Sequence, residues 1–254
     1  MRIVTLNLRN TADRWVARRQ LLVRQLVDLA PDVAGFQEAR VVPDQAAWIV
    51  REVERRSAGV VRYRSFRRSK AGLLGLWEGL AVLSRLPVVA TASIALGADA
   101  RVAQRVTVRL RGGGHFDVYN THFGGDRGAL LAEAARIDEW MARRPPLPAV
   151  LLGDFNARPG SPPIELLSSR LRSAHAAVHG HEPPRTVPTP LRAGVSGAGS
   201  VLDFVFVNDL VEVLDAGLAF DEVDPDDPTL ATSDHYGLAV TVDVRRTRLP
   251  GPGS

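Results

Sequence analysis

Between residues 60 and 122 the chain offers one strand after another and no helical pattern. The runs VVRYRSF (60–66), GLAVLSR (79–85), VVATASIAL (88–96), VAQRVTVRL (102–110) and HFDVYNTHF (115–123) are β-branched or aromatic in character, and RGGGH (111–115) reads as a hairpin turn between the last two. Successive strands without helices predict antiparallel pairing and argue against a doubly wound parallel sheet. Ahead of this block stands a strand–helix–strand–helix pattern. The first strand is centred on Val4 and Leu6, and a helix capped by Thr11 or Asp13 runs to about Leu29. DVAGFQE (32–38) is the second strand and Asp44–Arg56 the second helix. After the block come a helix over about Arg127–Arg143, a strand PAVLLGDF (148–155) with a sharp turn at Gly153, and a short helix starting at SPPIELLSS (161–169). A loop follows over 180–200, with four glycines and four prolines, and then the strands VLDFVFV, VEVLDAGLAF and YGLAVTVDV. So many strands overfill one sheet. Two sheets packed face to face, with helices on their outer faces, bury them all.

Length fits that design: 254 residues make one layered α/β unit over 1–246, followed by a frayed, disordered tail at 247–254. The chain has no cysteine, so it has no disulfide, no thiolate metal site and no cysteine nucleophile. Any metal must sit on oxygen or imidazole ligands. The start, MRIVTLNLRN, lacks the apolar run of a signal peptide, and no stretch approaches the roughly 18 apolar residues of a membrane span. The expectation is a cytoplasmic protein, monomeric and without stable membrane insertion. Net charge is +4, carried almost wholly by arginine, with Lys70 the only lysine. Residues 51–70 hold eight basic and two acidic residues, a concentration that suits a phosphate-bearing partner or else a solvated helix face and loop.

Polar residues stand where apolar strands end: Asn7, Glu38, Asp154 with Asn156, and Asp234 with His235. In layered α/β folds such strand ends build sites. A set made only of Asn, Asp, Glu and His matches a hard-cation site with oxygen ligands. TSDHYG (232–237) places a carboxylate and an imidazole side by side, which in an extended chain face opposite ways. LDFVFV (202–207) buries Asp203 inside an apolar strand, where it needs a partner, and His235 is the natural one. Glu78, just before a strand, and His122, at the end of another, offer a second carboxylate–imidazole pair. The acidic loop DEVDPDD (221–227) reads as solvated.

The ordered set TLNLR, FQE, EGLAVLSR, NTHF, GDFNARPGSP, LDFVFV and SDH, running from Asn7 to His235, resembles the endonuclease/exonuclease/phosphatase superfamily. The resemblance implies a four-layer α/β sandwich with two mixed central β-sheets flanked by helices, and Mg²⁺-assisted hydrolysis of a phosphoester, with Mn²⁺ able to substitute. It implies Glu38 as the main metal ligand, with Asn7 and Asp234 completing the site. Asp154 would orient or deprotonate the attacking water, Asn156 would contact the phosphoryl oxygens, and His235, held by Asp203, would stabilise the charged transition state. His122 with Glu78 would protonate the leaving oxygen, and Arg101, ahead of Arg105, would contact phosphate. Departures from relatives bear on substrate. Arg9 stands where abasic-site endonucleases have an acidic residue, His122 stands in place of their tyrosine, and their following Pro-Asn is absent, which argues against abasic-site repair. Three readings follow: a phosphodiesterase of DNA or RNA; a phosphatase or a phospholipase C- or sphingomyelinase-like enzyme for a small or lipid headgroup phosphoester; and a non-catalytic binding module. For the lipid reading the apolar loop AGLLGLW (71–77) is the candidate membrane contact.

Overall fold

The computed structural model describes residues 1–70, 77–97, 100–192 and 199–244. In chain order the elements are β1 (Arg2–Asn7), α1 (Trp15–Leu29), β2 (Val33–Ala39), α2 (Gln45–Arg56), β3 (Arg64–Ser69), β4 (Gly79–Ser84), β5 (Val88–Ala95), β6 (Val102–Arg109), β7 (His115–His122), α3 (Leu130–Ala142), β8 (Ala149–Asp154), α4 (Pro162–Ser168), β9 (Arg172–Ser173), α5 (Ala174–His179), β10 (Asp203–Val207), β11 (Val211–Ala219) and β12 (Gly237–Val244). They form two six-stranded sheets, ordered β11-β12-β1-β2-β4-β3 and β5-β6-β7-β8-β10-β9. Each sheet is antiparallel except for one central parallel pair, β1 with β2 and β7 with β8. A helix joins the two strands of each pair, as a parallel connection requires. The frame is therefore one strand–helix–strand unit used twice, a repeat that no fixed sequence period reveals.

Three apolar layers hold this together. Between the sheets lie Ile3, Val33, Val82, Val118, Val150, Leu152, Val205 and Leu238. Leu22, Leu26, Ile49 and Val53 of α1 and α2 cover the outer face of the first sheet over Val4, Leu6 and Phe36. On the second sheet, Leu130, Ala134 and Ile137 of α3 and Ile164 and Leu167 of α4 pack over a cluster of Phe123, Phe155, Phe204 and Phe206. Strands buried on both faces explain why β4 and β8 read as unbroken apolar runs rather than as alternating ones.

Local structure departs from the sequence reading at several places. Neither Thr11 nor Asp13 caps α1; Arg14 occupies the cap position in the left-handed region (φ 62°) without a side-chain cap bond. Asp44 does cap α2, accepting from the Ala47 backbone N–H at 2.9 Å. The third strand begins at Arg64 rather than at Val60, and α3 begins at Leu130 rather than at Arg127. β9 and the short helix α5 lie in a stretch too brief to show a period. The tail at 247–254 and residues 71–76 of the apolar loop lie outside the described residues, while Trp77 is exposed.

The expected turn at Gly153 is not there. β8 continues through Gly153 to Asp154, paired with Thr121 on one side and Phe204 on the other. Gly153 is needed for a different reason. Its φ is +145°, and a Cβ there would sit 2.0 Å from the Thr121 carbonyl oxygen. The missing side chain lets β7 and β8 approach closely just before Asp154. Gly153→Ala is therefore expected to lower the unfolding free energy by roughly 3 kcal/mol through backbone strain and steric conflict. Urea denaturation checks this, and an unchanged midpoint would contradict it.

Candidate active site

The carboxyl ends of the two parallel pairs meet at one rim. β1 ends on Asn7, β2 on Glu38 and Ala39, β7 on His122 and β8 on Asp154. Ligand sites of open α/β sheets form at such ends. A register irregularity between Phe36 and Ala39, with Glu38 in the left-handed region (φ 50°), re-aims the Glu38 side chain toward this rim.

One amide joins the two sheets. Asn7 Nδ2 donates to Glu38 Oε1 at 3.1 Å and to Asp154 Oδ2 at 2.9 Å, while its Oδ1 accepts from the Arg9 backbone N–H at 2.9 Å. All the polar capacity of the Asn7 side chain toward the site is thus spent on placing two carboxylates. Behind it a second buried link crosses between the sheets. Gln37 Nε2 donates to Thr5 Oγ1 and to Asn120 Oδ1, and Asn120 Nδ2 donates to the carbonyls of Phe36 and Ala81.

Across the second sheet His122, Asp154 and Asp203 stand side by side in register on β7, β8 and β10. Asp203 is fully buried and its Oδ2 accepts from His235 Nδ1 at 2.8 Å, so the expected pairing of Asp203 with His235 is present in the geometry. The other imidazole nitrogen, Nε2, faces Asp154 Oδ2 at 3.8 Å. Burial by itself would lower the His235 pKa, but the carboxylates of Asp203 and Asp154 outweigh it and hold it raised. Burial raises the Asp154 pKa, an effect partly offset by His235 and by the hydrogen bonds from Asn156 and Asn7. Asp154 is thus a buried carboxylate with an increased appetite for a proton, beside an imidazolium.

His122 lies on the other side of Asp154, with Nε2 at 3.5 Å from Asp154 Oδ2 and Nδ1 at 3.8 Å from Glu78 Oε1. Burial first, then Arg101, Lys70 and His235, lower its pKa well below the usual imidazole range, so it rests neutral. Asn156 Nδ2 donates to the Phe123 carbonyl at 2.9 Å, which fixes the amide, and stands 3.3 Å from His122 Nε2. Glu78 forms an ion pair with Lys70 and lies 3.9 Å from Arg101. Arg105 points elsewhere, toward Asp117 and the Trp140 ring. Asp234 sits at the edge of the cluster, with Arg9 Nε at 3.4 Å and Arg192 Nη1 at 3.8 Å on one carboxylate oxygen.

The residues present fit a divalent cation. Ligand atoms of Glu38, Glu78 and His122 lie within 4.8 Å of one another, whereas in the equally tight group of Asp154, Asp203 and His235 the imidazolium already supplies the positive charge. His122 Nδ1 is buried without a hydrogen-bond partner, while Glu78 Oε1 beside it is paired with the Lys70 ammonium. Burial first, and then the neighbouring Glu78 carboxylate, raise the Glu38 pKa, partly offset by the Asn7 amide. One oxygen of the Asp234 carboxylate, by contrast, faces Arg192 and Arg9, the latter shared with Asp13 at 2.9 Å.

Sequence reasoning passed over the residue that fastens the rim. Arg18 looked like one more polar position on α1, yet it is fully buried. It donates to the carbonyls of Leu8, Arg9, Asn10, Ala12, Asp13 and Thr232. One guanidinium thereby ties the loop after Asn7 to the loop that carries Asp234 and His235. Its advance signal was its place on the apolar stripe of α1, three residues after Trp15 and four before Leu22. Gln37 and Asn120 were visible inside FQE and YNTHF but had no assigned task. Arg18→Met is expected to strand several buried carbonyls and reduce stability by about 3 kcal/mol. A change under about 0.5 kcal/mol in chemical denaturation would contradict this role.

Sheets, rim and site together define an α/β sandwich with its chemistry on the carboxyl ends of paired parallel strands. The chain belongs to the Endonuclease/Exonuclease/phosphatase family, whose sequence profile matches residues 4–235. Solved structures share the fold. An endonuclease/exonuclease/phosphatase family protein from Leptotrichia buccalis superimposes with a TM-score of 0.78 at 19% identity, covering 96% of this chain and 99% of that one. The mannosyl-6-phosphatase Bt3783 of Bacteroides thetaiotaomicron gives 0.77 at 20%, covering 96% and 99%. The human nocturnin catalytic domain with bound sulfate gives 0.76 at 20%, covering 96% and 93%. No curated protein matches the sequence significantly.

Proposed function

We propose that the protein is a divalent-metal-dependent phosphoester hydrolase in which Asp154 activates the attacking water. The carrying observation is Asp154 itself: a buried carboxylate held by the Asn7 amide, raised in pKa, and flanked by His122 and His235. Water attacks phosphorus, its proton passes to Asp154, and the bond to the leaving oxygen breaks. The His235 imidazolium, anchored by Asp203, sets positive charge beside the place where the phosphoryl oxygens gain negative charge. Glu38, with Glu78 and the Asn7 side chain nearby, would hold the cation, Mg²⁺ or in its stead Mn²⁺. When bound, such an ion supplies Lewis-acid charge to the phosphoryl oxygens. His122, neutral at rest, receives the Asn156 amide and keeps the wall beside Asp154 in place.

The same geometry supports a compact substrate over a nucleic-acid polymer. The basic segment at 51–70 does not converge on the site. Arg55 pairs with Glu52, Arg62 with Glu54 and Arg67 with Asp44. From that segment Lys70 alone has an ion pair at the rim, on Glu78. One structural neighbour, at 20% identity, is described as a sugar phosphatase. No helix among the described residues is long and apolar enough to cross a membrane.

Asp154→Asn is expected to cut Mg²⁺-dependent hydrolysis of bis-p-nitrophenyl phosphate and p-nitrophenyl phosphate by about 10²–10⁴-fold with the fold intact. Chelation is expected to abolish wild-type turnover, and added Mg²⁺ or Mn²⁺ to restore it. Full activity in the variant, or in EDTA, would sink the mechanism.

A further inference from the structure

A cavity of about 710 Å³ opens beside Asn156, walled by the start of α3, the residues after β8 and the segments around Val187 and Leu202. This size suits a small ligand and sits within the range of ordinary substrate pockets. Its lining has an uneven chemistry. Leu131, Pro163 and Leu202 supply apolar walls, Arg127 and Arg158 supply charge, and among the described residues no acidic or aromatic residue takes part.

The two arginines differ from the other cations at the rim. Arg9 and Arg192 rest on Asp234, and Lys70 rests on Glu78. Among the described residues Arg127 and Arg158 have no carboxylate partner, and both are exposed to the cavity and solvent. Two guanidiniums without a carboxylate partner among the described residues line one cavity from two sides, next to the rim that carries Asp154, and together attract a second anion. Guanidinium forks suit carboxylate and phosphate oxygens in particular. The absence of an aromatic ring removes the usual platform for stacking a base. Leu131, nearly half exposed, can lie against an aliphatic or polyol body.

We propose that this cavity receives the part of the substrate beyond the scissile phosphate, and that the substrate is a compact, non-aromatic phosphoester carrying a second acidic group bound by Arg127 and Arg158. The proposal rests on the hydrolase reading above for the identity of the reaction. Its binding half stands independently of turnover, because the cavity and its arginines are separate from Asp154.

The test uses matched pairs: glycerol 3-phosphate against 3-phosphoglycerate and 2,3-bisphosphoglycerate, and fructose 6-phosphate against fructose 1,6-bisphosphate. Calorimetric binding to the Asp154→Asn protein is measured alongside phosphate release by the wild type. The doubly acidic member of each pair is expected to bind about tenfold or more tightly, the worth of one charge-assisted contact. Arg127→Ala and Arg158→Ala are each expected to shrink that ratio, and carboxylate and phosphate as the second group are told apart by setting the gain of 3-phosphoglycerate over glycerol 3-phosphate against that of fructose 1,6-bisphosphate over fructose 6-phosphate. Equal binding within pairs, or a preference untouched by both arginine variants, would overturn the proposal. Preferential binding without turnover of any ester would leave the cavity assignment standing and overturn the hydrolase reading. Turnover of bis-p-nitrophenyl phosphate without any preference within pairs would do the reverse.

Discussion

The site hangs on one side-chain amide. Asn7 belongs to the first sheet and bonds both Glu38, of the same sheet, and Asp154, of the other. Two carboxylates so close repel each other, and the amide is the neutral donor that separates and orients them. That bridge requires the sheets to be stacked in a single registration. The buried link of Gln37 with Asn120 and the interdigitated valines behind it supply that registration. The apolar core therefore sets the distance between the carboxylates, and buried polar groups of this kind demand full satisfaction.

Charge at the rim follows a pattern. Toward the centre, Asp203, His235 and Asp154 alternate in sign, and each is hydrogen-bonded or within reach of its opposite. At the margins, Lys70 and Arg101 stand by Glu78, and Arg9 and Arg192 stand on Asp234. The margins are thus nearly compensated, while Glu38 at the centre is buried beside Glu78 and, among the described residues, has no ion pair with an arginine or lysine. On the proposed reading this distribution favours Glu38 over Asp234 as the anchor of a cation, since one oxygen of Asp234 faces Arg9 and Arg192.

Much of this was legible in the chain because strand ends carry their signal locally. The apolar run into GDFN, the buried Asp203 inside LDFVFV and the paired SDH each announce a polar residue at a strand terminus, and the fold brings all of them to one rim. The two-sheet architecture was legible because the uninterrupted strands of 60–122 leave no other way to bury them. What escaped notice depends on contacts between distant segments. Arg18 falls on the apolar stripe of α1, three residues after Trp15 and four before Leu22, but only the loops folded over it reveal six waiting carbonyls. Gly153 looked like a turn because glycine commonly makes one, whereas here it permits close approach of two strands. The basic run at 51–70 looked like a binding face, and its acidic partners Glu52, Glu54 and Asp44 lie near in sequence or across the sheet edge, where a net-charge count does not reveal their pairing.

The account turns on Glu38 as the cation's anchor at the seam of the two sheets. Titrating Mg²⁺, or Mn²⁺ followed by electron paramagnetic resonance, into metal-free wild-type and Glu38→Gln proteins tests this without any substrate. The account predicts saturable binding to the wild type that is lost or weakened at least about tenfold in Glu38→Gln, with unchanged circular dichroism. Equal binding by the two proteins would contradict it and place the cation elsewhere.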